Sequence, residues 1–157
     1  MSPAEQPIGL AVSAVAKALN RAFDDALAAV GGSTPTWLVL QAVKSTEVAT
    51  QGELAAAVGV RQPTLTHHLD GLERAGLVTR TRDPGNRRVQ RIAVTETGEH
   101  LFLRLRRAAA AFEGRLHAGL DADDVRTLRR LLAQLEENAR PDCSLATSGA
   151  LGHTFSP

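Results

Sequence analysis

Cysteine, aromatic residues and long apolar runs are all scarce in this chain of 157 residues. It contains one cysteine, one tryptophan, four phenylalanines and no tyrosine. The single cysteine, Cys143, excludes an internal disulfide, and no apolar run approaches the ~20 residues that cross a bilayer. The stretch from Met1 to Pro7 lacks the charged start of a secretory signal. We therefore predict a cytoplasmic protein with no membrane partner, whose leucine, valine and alanine core favours helices.

Sequence motifs for metal binding and catalysis are absent as well. His100, His117 and His153 are scattered, and neither a His-x-x-x-His nor a Cys-x-x-Cys spacing occurs. Zinc needs such clustered ligands. The histidines and carboxylates also form no set of nucleophile, base and orienting group. The sequence predicts no metal, no cofactor and no enzymatic activity.

A large net charge is also missing, because the formal net charge is +1. The charges are nevertheless unevenly placed. From Arg61 to Arg91 there are seven arginines and three acids, which gives this segment +4 and leaves −3 for the rest of the chain. One concentrated basic face indicates localised contact with phosphates. The alternative is a solvated, arginine-rich surface.

The segment from Gln51 to Thr95 predicts two short helices followed by a hairpin. Thr50 and Glu53 have the spacing of a capping box at the start of the first helix. Gly59 supplies the left-handed turn that ends this helix. Its apolar face consists of Leu54, Ala55 and Val58.

The second helix of the pair runs from Gln62 to about Gly76 and is amphipathic. At about 100° per residue, one face carries Leu65, Leu69 and Leu72, and the opposite face carries Pro63, Thr66, His67, Asp70 and Arg74. His68 lies beside the apolar face, where a packing role is favoured. Two strands follow, joined by the turn 83–86, and form a basic wing. A short third strand is expected at 47–49.

The remaining helices lie towards the ends of the sequence. Apolar periodicity predicts a first helix from Ile8 to Val30, a second from Thr34 to Ser45, a long one from Thr95 to about Leu120, and a last one opened by Asp121. The apolar stripes of the first helix and the last two are too long for a ~60-residue winged domain to cover. We expect these helices to pack on each other and on the same helices of a second subunit in a two-fold dimer. The alternative is a monomer in which they wrap their own domain.

Three stretches carry a recognisable pattern: 62–78 (QPTLTHHLDGLERAGLV), 83–88 (DPGNRR) and 94–98 (VTETG). The chain resembles the MarR/SlyA family of bacterial transcription regulators from about Ala11 to Arg140. The resemblance implies a fold that is mainly α with a small β wing, in which a winged helix-turn-helix is joined to a helical dimerisation region. We accordingly expect 34–95 to bind DNA, 1–33 and 96–140 to form the dimer, and 141–157 to be a flexible tail.

The resemblance also implies which residues meet double-stranded DNA. A recognition helix enters the major groove with its N-terminal residues nearest the bases. The expected contacts from this helix are Arg61, Gln62, Pro63, Thr64, Thr66 and His67, and those from the wing are Arg80, Arg82, Arg87 and Arg88. In the family the second arginine of the wing pair, here Arg88, enters the minor groove, while Arg87 lies along the backbone. For Thr64 and Thr66, bonding to backbone or phosphate is an equal alternative.

Two positions depart from the family pattern. Asn86 stands where the family usually has the aspartate that holds the wing arginine, and Asp83 is a candidate substitute. Arg61 stands where a serine commonly caps the recognition helix. Because an arginine side chain cannot cap a helix N-terminus, we expect Arg61 to bind a phosphate.

Members of this family commonly release DNA when small aromatic anions, metals or oxidants bind. The scattered histidines argue against a metal, and the position of Cys143 in the tail argues against redox sensing. An organic small-molecule effector remains, with Phe23, Trp37, Gln41 and Phe112 as candidate pocket walls. Each of these is alternatively a plain core residue, and a repressor without an effector is also compatible.

We therefore predict a DNA-binding transcriptional repressor that acts as a homodimer on a pseudo-palindromic operator, with half-site centres ~34 Å apart. One alternative is a winged-helix module for protein–protein interaction, since a fold does not dictate function. Another is an ArsR-type metal-responsive repressor, for which the ligands are missing. Salt dependence separates DNA binding from protein binding, because phosphate contacts weaken steeply as salt rises.

Overall fold

The computed structural model describes residues 6–45, 49–83, 85 and 89–140. The elements in these ranges are α1 (Ile8–Ala28), α2 (Thr34–Ser45), β1 (Ala49–Thr50), α3 (Gln51–Val58), α4 (Gln62–Arg74), β2 (Val78–Arg82), β3 (Val89–Val94), α5 (Glu96–Leu116) and α6 (Ala122–Ala139). The fold is mainly helical with one small sheet, and it contains a winged helix-turn-helix. The predicted fold class is therefore confirmed.

The start and end of α3 follow from its own residues. The Thr50 hydroxyl accepts a hydrogen bond from the Glu53 N–H (3.2 Å), and the Glu53 carboxylate accepts one from the Thr50 N–H (2.7 Å). Gly59 ends the helix with φ of 76°, a conformation that other residues rarely adopt. The predicted capping box and left-handed turn are both confirmed.

The sheet has the strand order β1-β3-β2, and both pairs are antiparallel. In the wing hairpin Val78 faces Val94, Arg80 faces Ile92 and Arg82 faces Gln90. The third strand was expected at 47–49; the structure has it at Ala49–Thr50, where it pairs with Val89 and Gln90. Positions 47 and 48 lie outside the described residues.

The core joins the helix-turn-helix to the helices on either side of it. From α4 it takes the three predicted leucines, Leu65, Leu69 and Leu72, and from α3 the predicted Leu54, Ala55 and Val58. Leu27 of α1, Val39 and Leu40 of α2, and Leu101 and Leu105 of α5 complete its buried centre. The apolar face of α4 therefore packs into the core, and its opposite face is exposed to solvent.

The beginning of α5 is fastened to the turn between α4 and β2. The Thr95 hydroxyl donates to the Gly76 carbonyl (2.6 Å), and the Thr95 N–H donates to the Leu77 carbonyl (3.0 Å). The same hydroxyl accepts from the Gly98 N–H (3.1 Å) and so caps α5, the helix predicted to start at Thr95. A β-carbon on Gly98 would lie 2.1 Å from the Leu77 carbonyl oxygen, so this close approach requires glycine.

The chain divides into two compact units, residues 1–116 and 117–157. The first contains α1 to α5 and the sheet. α5 ends at Leu116 rather than near the predicted Leu120, because Gly119 takes a left-handed φ of 80° in the following turn. The second unit contains α6, opened by the predicted Asp121 cap, whose carboxylate accepts from the backbone N–H groups of Asp123 and Asp124 (2.8 Å each).

Both terminal helices carry exposed apolar residues. On α1 these are Ile8, Leu10, Val12, Val15 and Leu19, and on α6 they are Leu128, Leu131 and Leu132. The predicted stripes of α1 and α6 thus include exposed apolar residues, whereas the stripe of α5 is buried at Leu101, Leu105 and Phe112. Within the described ranges, every helix is too short or too polar to span a membrane.

Candidate nucleic-acid interface

The N-terminal half of α4 projects polar side chains into solvent. Arg61 precedes the helix in an extended conformation (φ −74°, ψ 151°), and its side chain makes no capping hydrogen bond, as expected for arginine. Pro63 lies in the first turn, where its missing N–H costs nothing. The exposed residues of this stretch are Arg61, Gln62, Pro63, Thr64 and His67. Five of the six predicted recognition-helix contacts are therefore accessible together.

Thr66, the sixth predicted contact, is only partly exposed. Its hydroxyl donates to the Gln62 carbonyl one turn earlier (3.0 Å), a local bond that threonine often makes within helices. This hydrogen bond agrees with the alternative in which the Thr66 hydroxyl bonds to backbone. The Gln62 side chain extends towards α3, since its amide nitrogen lies 3.2 Å from the place of a β-carbon on Gly52.

Arg80 of the wing is bound to two carboxylates of α4. Its Nη2 lies 2.6 Å from Asp70 Oδ1 and 2.5 Å from Glu73 Oε2, and its Nε donates to the same Glu73 oxygen (2.9 Å). The hydrogen bond to Glu73 is the main cause that raises the pKa of Arg80. A contact between Arg80 and a DNA phosphate, as predicted, would therefore compete with the ion pairs that Arg80 makes with Asp70 and Glu73.

Asp83, directly after β2, contacts Gly85 and Arg91. Its Oδ1 accepts from the Gly85 N–H (2.8 Å), and its Oδ2 lies 3.0 Å from Arg91 Nε and 2.8 Å from Arg91 Nη2. A turn aspartate that bonds the backbone two residues later is a common turn former. Arg82 is exposed on β2. The predicted wing contacts Arg87 and Arg88, and the departure at Asn86, lie outside the described residues.

A cavity of about 330 Å³ lies between the start of α2 and the side of α4. Its walls include Ser33, Pro35 and Thr36 from the first segment and His67, His68 and Leu72 from the second. His68 is half-buried, in keeping with its predicted packing role. Because His67 also belongs to the exposed surface of α4, the cavity opens beside the candidate DNA-contacting residues.

The four residues proposed as ligand-pocket walls are distributed over separate contacts. The Phe23 and Phe112 rings lie 5.2 Å apart and tilted, whereas Trp37 stacks on Phe102 at 5.4 Å. Gln41 is exposed. None of the four lines the cavity beside α4. Sequence reasoning missed that cavity because its walls come from segments about 30 residues apart with no shared motif.

Known proteins place this geometry in a family. The MarR family model matches residues 33–89. A MarR-family transcriptional regulator from Rhodococcus sp. RHA1 is 31% identical over 82% of this chain and 91% of that chain, with a TM-score of 0.68. The transcriptional repressor CouR bound to a 23-mer DNA duplex is 27% identical, over 83% of this chain and 92% of that chain, with a TM-score of 0.74.

A second CouR structure, from Rhodococcus jostii RHA1, is bound to p-coumaroyl-CoA. It is 28% identical over 90% of this chain and 100% of that chain, with a TM-score of 0.70. The likeness thus extends well beyond the winged domain to most of the chain. The protein belongs to the MarR family of DNA-binding transcriptional regulators.

Proposed function

We propose that this protein is a sequence-specific transcriptional repressor that binds a pseudo-palindromic operator as a homodimer. The observation that carries the proposal is the set of exposed polar side chains on the N-terminal half of α4. The repressor CouR, bound to DNA in one of the similar structures, supports the direction of control. Such a regulator would act in the cytoplasm, on bacterial DNA.

The exposed residues of α4 have side chains suited to reading bases. The Gln62 amide can bond bidentately to adenine, threonine methyl groups can touch thymine methyl groups, and His67 can donate to a guanine acceptor. The proposed base-reading set is Gln62, Pro63, Thr64, Thr66 and His67. The proposed phosphate or minor-groove contacts are Arg61, Arg82, Arg87 and Arg88. Phosphate contacts supply affinity and orientation, whereas base contacts supply specificity.

The dimer in this proposal uses the segments 1–33 and 96–140, and DNA is bound by 34–95. The exposed apolar residues of α1 and α6 support it, because monomeric proteins rarely leave such rows of large apolar side chains uncovered. A second copy is the economical cover, since a two-fold interface uses the same patch on both subunits. Two recognition helices about 34 Å apart would then meet successive major grooves.

The proposed release mechanism uses an organic effector. CouR bound to p-coumaroyl-CoA supports this class of ligand. The cavity of about 330 Å³ beside α4 falls within the range of roughly 300–1,000 Å³ that small-molecule sites occupy. Since His67 lines the cavity and also faces the proposed DNA site, a ligand held there would compete with DNA.

The first experiment is fluorescence anisotropy of the purified protein on DNA from its own upstream region, over a salt series. Arg88→Ala should weaken binding and make the salt slope shallower by about one ion. The matched control Arg107→Ala removes an exposed arginine of α5, outside the winged domain, and should leave the slope unchanged. Failure to bind either this DNA or a pool of random sequences would favour the alternative of a protein-interaction module.

The effector is tested on the preformed DNA complex with p-coumaroyl-CoA as the first probe, followed by free aromatic acids. Release that is weakened by His68→Ala supports the cavity beside α4. Release that is weakened by Phe112→Ala and not by His68→Ala would instead assign the effector to the aromatic residues Phe23 and Phe112. Release by none of the compounds would favour a repressor without an effector of this class.

A further inference from the structure

We propose that Arg80 is a positioning residue for DNA reading, which partly offsets the negative charges of Asp70 and Glu73 on α4 and fixes that helix against the wing, and is not itself a phosphate contact. The proposal rests on the proposed function, because it concerns how α4 is presented to DNA. It also changes the role that the sequence predicted for one of the wing arginines.

Relative exposure is the first argument. The Arg80 side chain is 19% exposed, whereas those of Asp70 and Glu73 are 48% and 40% exposed. The arginine therefore lies beneath the two acids, and the acids face outward. A side chain that reaches for a phosphate would need the opposite arrangement.

Hydrogen bonding is the second argument. Both Nε and Nη2 of Arg80 are directed at α4 carboxylates, at 2.5 to 2.9 Å. Such charge-assisted contacts from a planar guanidinium fix direction as well as distance. Because Asp70 and Glu73 are three positions apart on one helix, the contacts set the orientation of α4 relative to β2.

The position of the acids explains why this partial offset of charge matters for binding. Asp70 comes one helical turn after Thr66 and His67, on the same face of α4. Two unpaired carboxylates at that place would repel DNA phosphates. Arg82 provides the contrast: it lies two residues further along the same strand, on the same side of the sheet, and is exposed.

The test is a mutant cycle measured by anisotropy on the operator and on scrambled DNA over a salt series. It compares the parent, Arg80→Gln, the pair Asp70→Asn with Glu73→Gln, and all three changes together. A positioning role predicts that Arg80→Gln weakens operator binding about tenfold with an unchanged salt slope. Removing the acids should then recover part of the affinity in the Arg80→Gln background, because the unpaired carboxylates are gone, and should weaken the parent to the same level, because α4 is no longer fixed to the wing.

A direct phosphate contact predicts a different pattern. Arg80→Gln would lower the salt slope by about one, removal of the acids would strengthen the parent by freeing Arg80, and the triple change would rescue nothing. That result would overturn the proposal, as would an Arg80→Gln variant that binds like the parent. Arg82→Gln, run in parallel, should show the loss of slope expected of a phosphate contact.

Folding is followed in all variants by circular dichroism and thermal unfolding. If Arg80→Gln is unfolded at the assay temperature, Arg80→Lys replaces it, with weaker operator binding and an unchanged slope expected. A parent that binds no DNA would refute the proposed function on its own. In that case the thermal unfolding of the same four proteins still tests the contact. If the effects of changing Arg80 and of changing the two acids simply add, there is no coupling between them and the proposal fails.

Discussion

Gly98 is held more tightly than its exposed neighbours in the first turn of α5. The nearest obstacle to a β-carbon there is backbone, the Leu77 carbonyl oxygen at 2.1 Å, with a Val94 methyl at 2.7 Å. A flexible side chain could move away, but the Leu77 backbone is fixed by its bond to the Thr95 N–H. This residue therefore controls how closely α5 approaches the end of α4.

Gly98→Ala should lower the free energy of unfolding by about 2 kcal/mol. Overpacking against fixed backbone costs up to about 3 kcal/mol, which exceeds the ~1 kcal/mol that alanine gains over glycine in a helix. Urea unfolding followed by circular dichroism measures the change. The matched control is Gly114→Ala in the same helix, where nothing lies within 4 Å of the added carbon. It should stabilise, and equal effects of the two changes would refute the argument.

Glu53 makes the α3 cap dependent on pH. Hydrogen bonds from the Thr50 backbone and hydroxyl lower the pKa of Glu53 from its ordinary value of 4.5. A lowered folded-state pKa stabilises the fold above the unfolded-state pKa, and the stabilisation is lost as pH falls through the folded-state value. Glu53→Gln should therefore be less stable than the parent at neutral pH, and the difference should shrink below pH 4.5. A urea-midpoint difference that stays constant with pH would contradict this.

At the scale of elements, the two faces of α4 have different roles. Leu65, Leu69 and Leu72 anchor it in the core, while its other side offers Gln62, Thr64 and His67 to a ligand. The ion pairs of Arg80 connect it to β2, and the turn after it is bonded to the start of α5. Because these contacts constrain α4 from the core, from β2 and from α5, its exposed face is held in one orientation relative to the wing.

Gln62→Ala tests whether the exposed start of α4 reads bases. Loss of a bidentate base contact should weaken binding to the operator by about 1 to 3 kcal/mol. Binding to scrambled DNA should change little, since that binding depends on phosphate contacts. Competition anisotropy with both duplexes gives the ratio of the affinity for the operator to the affinity for scrambled DNA. Equal weakening on the two DNAs would make Gln62 a backbone or structural residue.

At the scale of the whole molecule, α1 and α6 bury few of their own apolar residues. Leu27 is the only α1 residue that is fully buried, and α6 contributes no buried residue within the described chain. Val15 is 58% exposed and Leu131 is 47% exposed. Apolar burial contributes about 25 cal/mol per Å², so covering these faces with a second copy would stabilise the protein considerably.

Leu131→Glu should convert the proposed dimer to monomer and weaken operator binding, because a charge without a partner in an apolar interface is costly. Sedimentation equilibrium measures the association state, and anisotropy on full and half operators measures the loss of paired binding. The matched control, Ala133→Glu, adds the same charge on a different side of α6 and should remain dimeric. A Leu131→Glu protein that sediments like the parent would remove α6 from the proposed interface.

The local structure of this protein could be predicted from its sequence. Caps and turns such as Thr50 with Glu53, Gly59, and Asp121 with Asp124 depend on residues within four positions of one another. Apolar periodicity likewise sufficed to select Leu65, Leu69 and Leu72 as the buried face of α4. Of the candidate DNA-contacting residues, Pro63, Thr66 and His67 lie on the opposite face by periodicity, whereas the choice of Arg61, Gln62 and Thr64 came from the resemblance to the MarR/SlyA family.

Only the tertiary structure decided the contacts between distant segments. It turned Arg80 from a wing cation into the partner of Asp70 and Glu73, and it paired Phe23 with Phe112 and Trp37 with Phe102. It also formed the cavity where Ser33 and Thr36 meet His68. The reason is physical: local hydrogen bonds and periodicity act along the chain, whereas these contacts depend on the packing of helices and strands that the chain order does not specify.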